Sequence, residues 1–233
     1  MNKATITYLI LCAVCWLVLG YAVFFLDKGY LHLALQLPHD TLTDIFFKYY
    51  SSFAEWLLYV LMLIPLCFKR LRMTLTFALA EGLSAIIVQT IKHIWNMPRP
   101  VTWFTEQFGN ADMLTLVEGV RMNMWHSFPS GHTATFFAFF TVAVWLLTKQ
   151  QWTKDEERTT DVQTTWWSVA FAVACFVLAA TGGYSRIYLS QHFTADVLAG
   201  SIIGTSAALA AWAIVNKIQI TIQRRKENKN NDI

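Results

Sequence analysis

Charge is what this sequence has least of. Of 233 residues only 14% are Asp, Glu, Lys or Arg, about half the ~25% of an ordinary soluble domain. Hydrophobic residues make up 55% and the mean hydropathy is +0.40, which excludes a disordered chain and argues against a soluble globular domain. Proline is scarce, with 5 residues, so long stretches run without a helix breaker. The net charge of +3 is too small for a nucleic-acid binder, and no nucleic acid is expected as a partner. Cysteine is sparse as well: Cys12, Cys15, Cys67 and Cys175 all sit in apolar runs, where a thiol behaves as a small hydrophobe. Cys12-Ala-Val-Cys15 has redox or zinc spacing, but no second pair, base or cation accompanies it.

What the chain does have is long apolar blocks. Six lie at 5–26, 53–68, 73–91, 133–148, 166–182 and 194–215, against the ~20 residues that cross a bilayer. The second is short and contains Pro65. The first is too long for a signal-peptide core and lacks a small-residue cleavage site, so it reads as a retained helix. The expected fold is an all-α integral membrane protein with six transmembrane helices in one bundle over residues 1–223, followed by a polar basic tail over 224–233.

Orientation follows from the cations. Lys3, Lys69, Arg70, Arg72, Lys149, Lys154, Arg158, Lys217, Arg224, Arg225, Lys226 and Lys229 fall on one side of this layout; Lys28, Lys48, Lys92, Arg99, Arg121 and Arg186 fall on the other. That 12-to-6 bias places both termini in the cytoplasm. Two outer segments are long. Residues 29–52 mix apolar and polar positions, as an interfacial amphipathic piece does. Residues 93–128 carry Trp95, Trp103, Phe104, Phe108 and Trp125, aromatics suited to the headgroup layer.

Reactive side chains collect at three helix mouths on the outer face. Lys92 closes the third stretch and is followed by Arg99-Pro100; Ser130-Gly131-His132 opens the fourth; Ser185-Arg186 and His192 precede the sixth, with Asp196 inside it. Phosphate is best held by planar Arg forks, a Lys point charge and backbone N–H groups at a helix N-terminus, which Arg99, Arg186, Lys92 and the Ser130-Gly131 turn supply. His192 and Asp196, four apart, share a helix face, so the carboxylate can fix the ring's tautomer, as for an oriented nucleophile or base. His132 is placed as a second, proton-donating partner. Taken singly each residue has an ordinary structural reading; their convergence on one face of a charge-poor protein points to phosphate chemistry.

These residues carry a resemblance. Lys92-His-Ile-Trp-Asn-Met-Pro-Arg99-Pro100, Pro129-Ser130-Gly131-His132 and Ser185-Arg186-Ile-Tyr-Leu-Ser-Gln-His192-Phe-Thr-Ala-Asp196 are similar to the K-x6-R-P, P-S-G-H and S-R-x5-H-x3-D signatures of the type 2 phosphatidic acid phosphatase superfamily. The resemblance implies a membrane lipid phosphatase. His192 would attack phosphorus to form a phosphohistidine, oriented by Asp196. His132 would protonate the leaving oxygen and then activate water. Lys92, Arg99, Ser130, Gly131 and Arg186 would hold the phosphate. It also implies chemistry without a metal or other cofactor, and a lipid phosphate as partner: undecaprenyl pyrophosphate, phosphatidylglycerophosphate or phosphatidate, or lipid A. With the termini inside, the site would open to the periplasmic or luminal face, most simply of a bacterial inner membrane. Lipid-to-lipid phosphotransfer through the same intermediate is the alternative, and a small transporter a weaker one. Specificity is expected in 29–52 and 101–128. Glu81, mid-way along the third stretch, is too deep for phosphate chemistry and reads as a hydrogen-bonded interior carboxyl near Ser84.

Overall fold

The computed structural model describes residues 2–68, 71–147 and 162–231. Among the described residues there are nine helices and no strand: α1 (Lys3–Phe25), α2 (Lys28–Ala34), α3 (Thr41–Ser52), α4 (Leu57–Cys67), α5 (Leu71–Ile94), α6 (Pro100–Phe108), α7 (Gly131–Leu147), α8 (Val162–Tyr188) and α9 (Thr194–Asn231). Lys69, Arg70, Lys149, Lys154 and Arg158, five of the cations used to orient the chain, lie outside the described residues. Each apolar stretch read from the sequence overlaps a helix, the second only over residues 57–67. Among the described residues four helices are long and apolar enough to cross a membrane: α1, α5, the Trp166–Tyr188 part of α8 and the Thr194–Ile222 part of α9. α7 is apolar but has 17 residues, and α4 has 11. α9 continues as helix through Arg224 to Asn231.

The outer segments are more ordered than connectors. Asp27 accepts from the N–H groups of Gly29 and Tyr30 and starts α2. Asp40 forms a capping box with Thr43 and starts α3. Arg99 is extended (φ −80°, ψ 167°), as the residue before a proline tends to be, and Pro100 occupies the first turn of α6. Trp103 and Phe104 were expected at the headgroup layer. They instead pack inward, Phe104 buried with Leu114 and Phe193, and Trp103 edge-on to Phe193. The rings leave water more completely by covering the apolar underside of the outer loops.

α7 is the central helix. One side packs with α1 and α8 through Tyr8, Cys12, Phe137, Val144 and Cys175; the other packs with α5 and α9 through Phe77, Val142, Trp145, Ala208 and Ala211. Cys12, Cys15 and Cys175 are free thiols, consistent with their apolar reading. The closest approach is made by glycine. A Cβ on Gly200 would come within 2.4 Å of the Ser130 carbonyl oxygen, and one on Gly204 within 2.1 Å of that of Ala134. This small-x-x-x-small pair lets α9 lie on the backbone of α7. The beginnings of α7 and α9 thereby meet, and the ends of α5 and α8 arrive at the same end of the bundle.

Candidate active site

Each cluster of the sequence occupies one of these helix ends. His192 lies in the short turn between α8 and α9, and its own N–H and that of Gln191 both donate to the Arg186 carbonyl. Its ring is 1% exposed, with Nδ1 3.3 Å from Asp196 Oδ2. The same carboxylate oxygen accepts from the Phe193 N–H at 2.9 Å and from Ser127 Oγ at 2.5 Å. Asp196 is thus immobilised, and a carboxylate at Nδ1 holds the proton there and leaves Nε2 as the basic nitrogen. Burial, then Arg99, Arg186 and Lys92 in turn, hold the imidazole well below its usual 6.5, the Ser127 backbone opposing them. His192 is therefore neutral at physiological pH.

The two arginines share an anchor. Arg99 Nη1 donates to the side-chain oxygen of Gln191 at 2.9 Å and to its carbonyl at 3.2 Å, while Nε donates to the Trp125 carbonyl. Arg186 Nη2 reaches the same Gln191 side-chain oxygen at 3.4 Å, and Nη1 donates to Ser51 Oγ. Gln191 is itself held through its amide nitrogen by the Arg121 carbonyl. Arg186 is 7% exposed and its Nε is buried without a partner among the described residues. That donor is available to an anionic acceptor. Lys92 donates to the His126 carbonyl at 2.7 Å and lines a cavity of about 430 Å³ with Arg99, His93, Asn123, Trp125 and His126.

The α7 turn differs in detail from the expectation. Ser130 is fully buried, and its N–H is already committed to the Asp196 carbonyl. Its hydroxyl accepts from Thr133 Oγ1 at 2.8 Å, so the side chain helps cap α7. The first N–H groups of α7 without a partner among the described residues belong to Gly131 and His132. His132 Nε2 lies 3.0 Å from Glu55 Oε1, a contact with no counterpart in the sequence reading. Lys28 is also new to the site. Its Nζ sits 3.8 Å above the Phe193 ring, and burial lowers its pKa while Asp196 opposes.

All eight residues singled out in the sequence are therefore assembled at one end of the bundle: His192, Asp196, His132, Lys92, Arg99, Arg186, Ser130 and Gly131. Gln191, Ser127, Ser51, Glu55 and Lys28 were not anticipated. Only Gln191 carried a signal, its place within the third signature. Glu81 is an interior carboxyl as expected, but its partners are Thr135 and Tyr59 rather than Ser84. Among the described residues no group of three or more His, Cys, Asp or Glu is disposed to hold a metal ion.

A family model of the PAP2 superfamily matches residues 73–220, which include every residue of the three signatures. The chain belongs to the PAP2 superfamily. The lipid A 4′-phosphatase of Bacteroides thetaiotaomicron is 27% identical to this PAP2 chain over 113 residues, 48% of its length. The match spans 41% of that curated relative. Among solved structures, the crystal structure of Aquifex aeolicus LpxE shares the PAP2 fold with a TM-score of 0.57 at 24% identity, over 81% of this chain and 96% of that one.

Proposed function

We propose that this PAP2 protein is a lipid phosphatase that removes a phosphate from a lipid headgroup at the periplasmic face of a bacterial inner membrane. The observation that carries the reading is the buried His192–Asp196 pair beside an arginine pair tied to one amide, with Arg186 Nε unpartnered. His192 Nε2 bonds to phosphorus as the bond to the leaving oxygen breaks, and His132 gives that oxygen its proton. Water then attacks the phosphohistidine, its proton returning to His132, and inorganic phosphate leaves. Arg99, Arg186 and Lys92, with the α7 N–H groups at Gly131, stabilise the charge that develops on the equatorial oxygens. Ser130 contributes its hydroxyl.

The six apolar helices span the membrane with both termini in the cytoplasm, α4 and α7 being the short members. The site end then faces outward, where Trp95 and Trp125, both exposed, suit the headgroup layer. Lipid A, the substrate in the curated relative's name, is the leading substrate. Diphosphate lipids and glycerophospholipid phosphates are the competitors.

Purified protein in detergent with EDTA is expected to release phosphate from lipid A faster than from phosphatidylglycerophosphate, phosphatidate or undecaprenyl pyrophosphate. His192→Ala should lower release by about 10³-fold or more. Full activity of that variant removes the nucleophile. Loss of wild-type activity on chelation removes the metal-free mechanism, and phosphate appearing on a second lipid rather than free makes the enzyme a transferase.

A further inference from the structure

The His192–Asp196 pair has a counterpart that no signature contains. Glu55 lies in the turn between α3 and α4, where its N–H donates to the Ser52 carbonyl. Four residues before that glutamate, α3 supplies Ser51 to Arg186. One short segment thus touches both the phosphate-binding arginine and the proton donor. The Glu55 carboxylate accepts a hydrogen bond from His132 Nε2 at 3.0 Å. Since a carboxylate can only accept, the Nε2 proton is fixed, and the proton that comes and goes is the one on Nδ1, which has no partner among the described residues.

We propose that Glu55 is a positioning residue for the reaction, holding His132 in the tautomer that cycles its proton at Nδ1. The two histidines are thereby oriented in opposite senses. Asp196 holds Nδ1–H of His192 and exposes Nε2 as a bare nucleophile; Glu55 holds Nε2–H of His132 and exposes Nδ1 as acid, then base. The surroundings make the anchor necessary. The charged groups around His132 are Arg186 of α8, Arg99 of the turn before α6 and Lys92 of α5, together with the His192 ring. All three charges oppose a protonated imidazole, and Glu55 is the carboxylate in contact with it. Glu55 also lies within electrostatic reach of Arg186. Its side chain is 61% exposed against 27% for His132, so the pair sits at the rim and its loss leaves no buried charge behind.

In the first step the P–O bond to the leaving group breaks as the P–Nε2 bond to His192 forms, and the Nδ1 proton of His132 moves to the departing oxygen. In the second, a water proton returns to Nδ1 as its oxygen bonds to phosphorus and the P–N bond breaks. Nε2 keeps its proton throughout. Protonation matters for an alkoxide and little for a nitrophenolate, which departs unaided.

The inference rests on the phosphatase reading, and the test separates the two. Two phosphomonoesters matched in chain length are compared, one with an alkyl and one with a nitrophenyl leaving group, reading kcat/KM, which stops at loss of the leaving group. Glu55→Gln is expected to lower the alkyl value by about 10- to 100-fold, part of the ~10²–10⁴ of general acid catalysis, and the nitrophenyl value by less than about twofold. Glu55→Asp should recover part of the alkyl loss. His132→Ala combined with Glu55→Gln should be no slower than His132→Ala alone. An equal loss on both esters, no loss on either, or additivity in the double variant overturns the role of Glu55. Absence of phosphate release from both esters by the wild-type protein overturns the phosphatase reading instead.

Discussion

Arg99 acts on His192 in two ways that a pair of substitutions separates. As a cation near the ring it disfavours the imidazolium, and as a planar fork it is held on Gln191 and the Trp125 carbonyl. Arg99→Gln removes the charge, so the His192 pKa rises and the acid limb of the kcat/KM profile moves to higher pH. Arg99→Lys keeps the charge and loses the fork, so the rate falls with the limb in place. A pH–rate series on both variants checks this. His32 gives a second titration, in stability. It is buried beneath Phe193 with Nε2 3.3 Å from Ser190 Oγ, and burial pushes it down to about 4. The unfolded chain takes the proton near 6.5 and the folded chain only near 4, so stability falls as pH drops through that window. The swing approaches roughly 3 kcal/mol, and His32→Gln should flatten the dependence of the unfolding temperature on pH between 7 and 4. The signature residues were legible because their spacing is local: Lys92 and Arg99 flank one turn, and His192 and Asp196 are one helical turn apart. Ser51, Ser127 and Glu55 reach the site through tertiary packing from segments with no motif of their own, and the commitment of the Ser130 N–H to the Asp196 carbonyl shows only when α7 and α9 are seen together.

At the scale of the helix, apolar runs located every long element because burial in lipid or in the bundle leaves few other residues to choose. They did not locate α2, α3 or α6, whose composition is mixed. Their starts were nevertheless written as the caps Asp27 and Asp40 and as Pro100 in the first turn of α6, signals that act on one turn and leave no periodic trace. The glycine approach of α9 to α7 was equally present as Gly200-Ser-Ile-Ile-Gly204. Gly204→Ala should be costly, by about 1–3 kcal/mol or more, because its Cβ meets backbone rather than a side chain that can turn away. Activity should fall with it, since the same contact sets the Ser130–Asp196 hydrogen bond. Gly82→Ala on α5, where a Cβ meets nothing within 4 Å, should leave the unfolding temperature unchanged or raise it slightly. Thermal unfolding and phosphate release, measured on both variants, make the comparison.

For the whole molecule, the proposed topology puts a reporter fused after Ile233 in the cytoplasm, and a periplasm-only reporter at that position should stay silent. α9 ties the two faces together, since it starts at the site and runs to the opposite end of the bundle. Its apolar stretch, residues 194–215, has 22 residues, about 33 Å of helix against ~30 Å of hydrocarbon. With so close a match, a thicker or thinner bilayer is met by a change of tilt or by local adjustment of the lipid. Either adjustment changes the height of the first turn, and that turn carries Asp196 and sets the level of His192. On the proposed function and topology, the acyl-chain length of the surrounding lipid is expected to be a catalytic variable, with turnover passing through an optimum of bilayer thickness at which His192 is level with the headgroup phosphates.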